Sequence, residues 1–106
     1  MKLGIIVYSN EPETAWNAFR VANFSLSVGD EVRVFLLGKG VETESADTDK
    51  INISEQIQTF VKRGGKIFAC GVCLEFHQLE ASAMYTVSTM KDLYQIVKES
   101  DKTVTF

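Results

Sequence analysis

Proline occurs once in this 106-residue chain, at Pro12. The cis-proline loop that follows a thioredoxin-type dithiol therefore cannot exist here. Basic residues are also sparse: Lys62, Arg63 and Lys66 form the only cluster, and the net charge is -3 with a pI near 5.1. Nucleic-acid phosphates need clustered Lys and Arg, so no nucleic-acid partner is expected. No apolar run approaches the roughly 20 residues that cross a bilayer. Met1-Lys2-Leu3-Gly4 leads straight into a strand-like run rather than a cleavable signal. The expectation is a soluble cytoplasmic protein without a membrane partner. Neither a Gly-x-Gly-x-x-Gly nor a Walker pattern is found, and Glu11 and Glu13 would repel a phosphate at the first strand-to-helix turn, so no nucleotide cofactor is expected.

What is present has the composition of a globular domain, 45% apolar and 24% charged, and its length suits a single domain over 1-106. Leu3 to Tyr8 is a near-continuous β-branched run, which predicts a buried strand. Asn10 is placed to cap a helix, with Glu13 three residues later as in a capping box and Pro12 in the first turn. Apolar residues then recur at helical spacing, Ala15, Ala18, Phe19, Ala22 and Leu26. A second set, Trp16, Val21, Phe24 and Val28, reads either as a wider core face or as a face that meets another subunit. Glu31 to Leu37 predicts the second strand, closed by Gly38-Lys39-Gly40. Val41 to Asp49 reads as an exposed acidic loop, without the ligand spacing and glycine of a calcium-binding EF-hand.

Ser54 is the expected cap of a helix over Glu55 to Arg63, stopped by Gly64-Gly65. Ile67, Phe68 and Ala69 predict a third buried strand. Ala81 to Val87 predicts a fourth, and Thr103 to Phe106 an edge strand. Between the last two, Ser88 or Thr89 caps a helix over Met90 to Glu99. Strands and helices alternate, the order of an α/β fold with a mostly parallel five-stranded sheet and helices on both faces.

Both cysteines lie in Lys66-Ile67-Phe68-Ala69-Cys70-Gly71-Val72-Cys73-Leu74-Glu75-Phe76. After Gly71 the pattern changes from strand to a short helix carrying Val72, Leu74, Phe76 and Leu79. Cys70 thus ends a strand and Cys73 opens a helix, the place where open α/β sheets bind ligands. A thiol at the positive end of a helix is more easily deprotonated, and the thiolate is the nucleophile. Spacing alone leaves several chemistries open: a dithiol redox pair, a metal site, a single nucleophile carrying sulfur as a persulfide, or two small buried hydrophobes. A zinc site needs four ligands, and only Cys70, Cys73 and His77 are close together, so no metal is expected. His77, the only histidine, is one helical turn past Cys73, where it would assist the thiols or simply face solvent. Ser9, Asn10, Gly71 and Val72 are the expected pocket residues.

Phe68-Ala69-Cys70-Gly71-Val72-Cys73-Leu74-Glu75-Phe76-His77-Gln78-Leu79, then Val87-Ser88-Thr89-Met90 and Leu93-Tyr94-Gln95-Ile96-Val97, resemble the DsrE/DsrF-like family. The likeness is strongest to the DsrE-like domain of sulfurtransferase-like selenium metabolism proteins of the YedF type. Gly4-Ile5-Ile6-Val7-Tyr8-Ser9 and Val34-Phe35-Leu36-Leu37-Gly38 also fit, so it spans essentially the whole chain. The resemblance implies a three-layer α/β/α sandwich and a homo-oligomer, trimeric or hexameric. It implies a sulfur-relay or sulfurtransferase-like function, with Cys70 at the position of the persulfide carrier and Cys73 matching the second cysteine of the pattern. On this leading reading the helix N-terminal amides and Cys73 are expected to stabilise or resolve the persulfide, with His77 assisting. Sulfur donor and acceptor proteins are the implied partners. A non-catalytic oligomeric binding module and a dithiol redox switch are the alternatives. Thr89 stands where the family usually has Asn and Tyr85 where it usually has Gly, which implies a narrower pocket. The Cys-Pro-x-Pro domain of the selenium-linked proteins has no counterpart in the sequence, so a separate sulfur donor is expected.

Overall fold

The computed structural model describes residues 1-106. Strands β1 (Lys2–Val7), β2 (Glu31–Leu36), β3 (Lys66–Cys70), β4 (Thr86–Ser88) and β5 (Lys102–Thr105) alternate with helices α1 (Pro12–Ser27), α2 (Ile53–Lys62), α3 (Gly71–Phe76) and α4 (Met90–Glu99). A 3-10 segment, Gly38–Ser45, follows β2. The strands form one sheet in the order β4-β3-β2-β1-β5. All four neighbouring pairs are parallel. The sheet is thus wholly rather than mostly parallel, because helical segments and never hairpins connect its strands.

Period-two alternation divides the side chains between two unequal faces. Leu3, Ile5 and Val7 line up with Val32, Val34 and Leu36, and these with Ile67 and Ala69. On this face α1 and α2 pack through Ala15, Ala18, Phe19, Ala22, Ile53, Ile57 and Phe60. The alanines let α1 approach the sheet closely. The Phe19 and Phe60 rings meet edge to face, 6.0 Å apart. The opposite face buries Phe35 and Cys70 against Ile96 of α4, in a much smaller cluster. Glycine is needed at Gly4, because a Cβ there would lie 2.7 Å from Ser100 Oγ and 2.9 Å from Ile96 Cγ2.

Several local expectations give way to contacts that only the fold supplies. Glu11, not Asn10, caps α1, its carboxylate accepting from the amides of Glu13 and Thr14. Asn52, not Ser54, caps α2, while Asp47 accepts from the Ile53 and Ser54 amides. The first part of the expected exposed loop is the 3-10 segment, with Val41 and Thr43 fully buried. The fourth strand shrinks to Thr86–Ser88, because Ser82 Oγ donates to Glu44 (2.6 Å) and accepts the Met84 amide, at a turn running from Ser82 to Tyr85. Of the second apolar set on α1, Trp16 packs against the core under the Arg20 guanidinium, whereas Val21, Phe24 and Val28 are exposed.

Candidate functional site

A parallel sheet brings the carboxyl ends of all its strands to one edge, and β3 delivers Cys70 there. In β3, Cys70 alternates with Ile67 and Ala69, which face α1 and α2, so its side chain turns toward the α4 face, where Ser88 of β4 is its register partner. Cys70 is also the N-cap of α3: its Sγ accepts the Cys73 amide at 3.4 Å. Cys73 Sγ in turn accepts the Gly38 amide at 3.2 Å, which fastens it to the end of β2. Cys73 touches both apolar clusters and is half-buried. Its thiol is pushed above the ordinary value, first by burial and then by the hydrogen bond and charge of Cys70, against the lowering effect of the Gly38 amide. The start of a helix therefore does not make Cys73 the readily ionised thiol: burial raises it first of all.

Cys70 and Cys73 line an open groove of about 730 Å³. Gly71, Val72 and Glu75 form one wall, and Val87, Ser88, Thr89 and Met90 the other. A Cβ at Gly71 would sit 3.1 Å from Val87 Cγ1, so a side chain there requires Val87 to shift by a few tenths of an ångström. Ser88 Oγ is buried and donates to Asp92 of α4, tying β4 to the start of that helix. Val72, Val87 and Met90 are exposed apolar side chains around the opening. A smaller cavity of about 370 Å³, bounded by Gly65, Phe68 and Tyr85, contains no thiol, imidazole or carboxylate.

His77, Ser9 and Asn10 do not line this groove. Ser9 Oγ accepts the Glu11 amide. Asn10 donates to Glu42 at 2.8 Å, and His77 Nδ1 stands 3.4 Å from the other oxygen of that carboxylate. Glu42 is held below its usual range, chiefly by the Asn10 hydrogen bond with His77 adding to it. The 3-10 segment and α3 thus lie side by side in step, Gly38 against Cys73 and Glu42 against His77. His77 is better described as a strut for α3 than as a partner of the thiols. No three His, Cys, Asp or Glu side chains are grouped as a metal ion would need.

Ser88, Asp92, Gly38 and Glu42 belong to the site or its supports, yet no sequence pattern marks them as such. The only signals that touch them are the Val87-Ser88-Thr89-Met90 segment and the glycine closing β2. Their roles depend on α4 crossing the sheet and on the 3-10 segment meeting α3.

The DsrE/DsrF-like family model matches residues 1–106. The chain belongs to that family. It is 34% identical over 100 residues to an uncharacterized protein of Methanocaldococcus jannaschii, covering 89% of this chain and 88% of that one. An uncharacterized protein of Methanopyrus kandleri is 32% identical over 110 residues, covering 95% and 91%. Among solved structures, the ychN protein from E. coli superposes with a TM-score of 0.84 at 20% identity over the full length of both chains. A conserved protein of unknown function from Bacteroides thetaiotaomicron gives 0.80 at 23% identity, covering 99% of this chain and 94% of that one. These two likenesses concern the fold, the α/β sandwich with its five-stranded parallel sheet. No helix is long and apolar enough to cross a membrane.

Proposed function

We propose that this DsrE-like domain is a sulfur-relay protein that carries sulfur as a persulfide on Cys70, a sulfurtransferase acting with separate donor and acceptor proteins. The observation that carries this reading is the position of Cys70: at the carboxyl end of β3, capping α3, with the Cys73 amide on its sulfur and an open groove beside it. In loading, the Cys70 thiolate attacks the outer sulfur of a donor persulfide. The donor S–S bond breaks, and the donor leaves as a thiolate with the bonding pair. In delivery, an acceptor thiolate attacks the outer sulfur now on Cys70, and Cys70 leaves in the same way. Sulfur moves at the sulfane level, and neither step needs an external oxidant.

The same reading includes a homo-oligomer, trimeric or hexameric. Its support is the thin cover of the α4 face, where Tyr94 (62% exposed) and Val97 leave apolar surface open. The test of the carrier is intact-mass spectrometry after incubation with polysulfide, with mapping of both cysteines. One reducible sulfur on Cys70, absent in Cys70→Ser and kept in Cys73→Ser, is the expected result. Loading confined to Cys73 would reverse the assignment. A second reading, a binding module for a small apolar ligand, is favoured by Val72, Val87 and Met90 around the groove. It requires ligand binding to survive replacement of both cysteines.

A further inference from the structure

The groove contains two sulfur atoms where a carrier needs one, and their arrangement indicates a task for the second. Cys70 is the cap and Cys73 the third residue of α3. Three residues of helix rise about 4.5 Å on a cylinder of radius about 2.3 Å, which puts Cα atoms three apart about 5 Å from one another. That is inside the range of about 4.4–6.8 Å that a disulfide tolerates, so the pair can close by turning the two side chains toward each other. The Cys73 amide already points at Cys70 Sγ, 3.4 Å away, and both cysteines pack in the same small apolar cluster. The Gly38 amide holds Cys73 Sγ in place at 3.2 Å, at the wall of the groove rather than out in solvent.

We propose that Cys73 is a discharge thiol: it attacks the inner sulfur of a Cys70 persulfide, releases sulfide, and leaves a Cys70–Cys73 disulfide that a dithiol reductant reopens. This inference rests on the carrier reading of Cys70 and adds to it a product, hydrogen sulfide, and a reductant class. The bond formed joins Cys73 Sγ to Cys70 Sγ. The bond broken joins Cys70 Sγ to the outer sulfur, which departs with the bonding pair and takes up the proton that Cys73 gives up. Counted as sulfane sulfur on a thiol, the outer atom gains two electrons, and the two thiols together lose them. Reopening consumes one dithiol, which becomes the external disulfide.

The surroundings of Cys73 set when this happens. Burial and Cys70 raise its thiol above the ordinary 9.0, further from neutral pH, and a protonated thiol is a poor nucleophile. A loaded Cys70 then persists long enough to meet an acceptor. As pH rises toward Cys73 ionisation, above the ordinary thiol value of 9.0, discharge accelerates.

The experiment preloads the protein with polysulfide, removes excess donor, and follows free sulfide and intact mass without reductant across neutral to alkaline pH. Wild type is expected to release one sulfide per loaded chain and become two hydrogens lighter than the dithiol, faster as pH rises. Cys73→Ser and Cys73→Ala are expected to hold the persulfide at least about tenfold longer with no such acceleration. Equal lifetimes in wild type and both variants would overturn the proposal, as would migration of the outer sulfur onto Cys73 in wild type. Wild type that never loads overturns the carrier reading. Wild type that loads but discharges independently of Cys73 overturns only this inference. Should either variant fold poorly, sulfide release by wild type that does not quicken with pH, or that leaves no internal disulfide, overturns the inference by itself.

Discussion

Leu74 is the only buried apolar residue of α3, and that makes the six-residue helix sensitive to one substitution. Leu74→Ala removes three carbon groups, at about 0.8 kcal/mol each, or about 2.5 kcal/mol of transfer free energy. A cavity normally adds to such a loss, but Leu74 sits at the carboxyl edge of the core, where neighbours can settle inward, so the expected total stays at about 2–3 kcal/mol. For a domain of this size the urea midpoint should fall by about 1–2 M. The loss should also be local. With Leu74 gone, α3 is kept down mainly by Gly38 on Cys73 and Glu42 beside His77, so the Cys73 and His77 amides should lose hydrogen-exchange protection before those of β1 and β2 do. Without an ordered α3 the Cys73 amide no longer donates to Cys70 Sγ, and persulfide loading should fall well beyond the loss of folded protein. Val72→Ala, at a side chain 78% exposed on the same helix, is the control and should cost less than about 0.5 kcal/mol. A Leu74→Ala protein no less stable than Val72→Ala would refute the anchoring role of Leu74. Wild-type loading of Cys70 in a protein whose α3 exchanges freely would refute the link from helix to thiol.

Gly40→Ala should be among the most damaging single changes, since its Cβ would fall 1.8 Å from the Val7 carbonyl oxygen, a backbone atom that cannot step aside. A loss of about 3 kcal/mol or failure to accumulate is expected, and a urea midpoint near wild type would contradict the packing described. Glu42 gives an acid-side prediction. Its folded pKa lies below the ordinary 4.5, so the stability it contributes is present above pH 4.5 and disappears as pH falls through the lower folded value. In that window His77 and Asn10 resonances should shift together by NMR, and Glu42→Gln should abolish the coupled shift. If apolar surface on α4 forms a subunit contact, Tyr94→Lys with Val97→Lys should yield a smaller species by sedimentation than wild type, with the monomer fold kept. An unchanged sedimentation coefficient would place the contact elsewhere.

Strand identity was legible because burial on one or both sides imposes its own residue pattern: Ile5-Ile6-Val7 and Val32 through Leu36 carry it openly. The cysteine pair at a strand-to-helix junction could be read for the same reason, since both elements announce themselves locally. What could not be read depends on partners distant in sequence. Asn10 has every property of a cap, yet Glu42, 32 residues away, takes its amide, and Glu11 caps instead. His77 shares a helix face with Cys73, but that face meets the 3-10 segment, where a carboxylate occupies the imidazole. Val41 and Thr43 are buried in a stretch whose acidic composition looks like solvent-facing chain, because Glu42 and Glu44 find partners across the fold. The tendency of a helix start to acidify a thiol is general, whereas the burial that raises the Cys73 thiol is specific to this fold.

The two faces of the sheet carry very different loads. Seventeen buried residues form the cluster under α1 and α2, and only three form the one that includes Cys70. The reserve of stability that absorbs mutation therefore lies on the side away from the thiols. Changes at Val72, Val87, Thr89 or Met90 draw little on that reserve, so the groove can drift or be redesigned toward new ligands while the scaffold stays folded. Gly71 and Ser88 are the exceptions within it, one in close contact with Val87 and the other joined to Asp92. A library that fixes Cys70, Gly71, Cys73 and Ser88 and varies the four apolar and hydroxyl positions around them would explore new specificities on an unchanged frame.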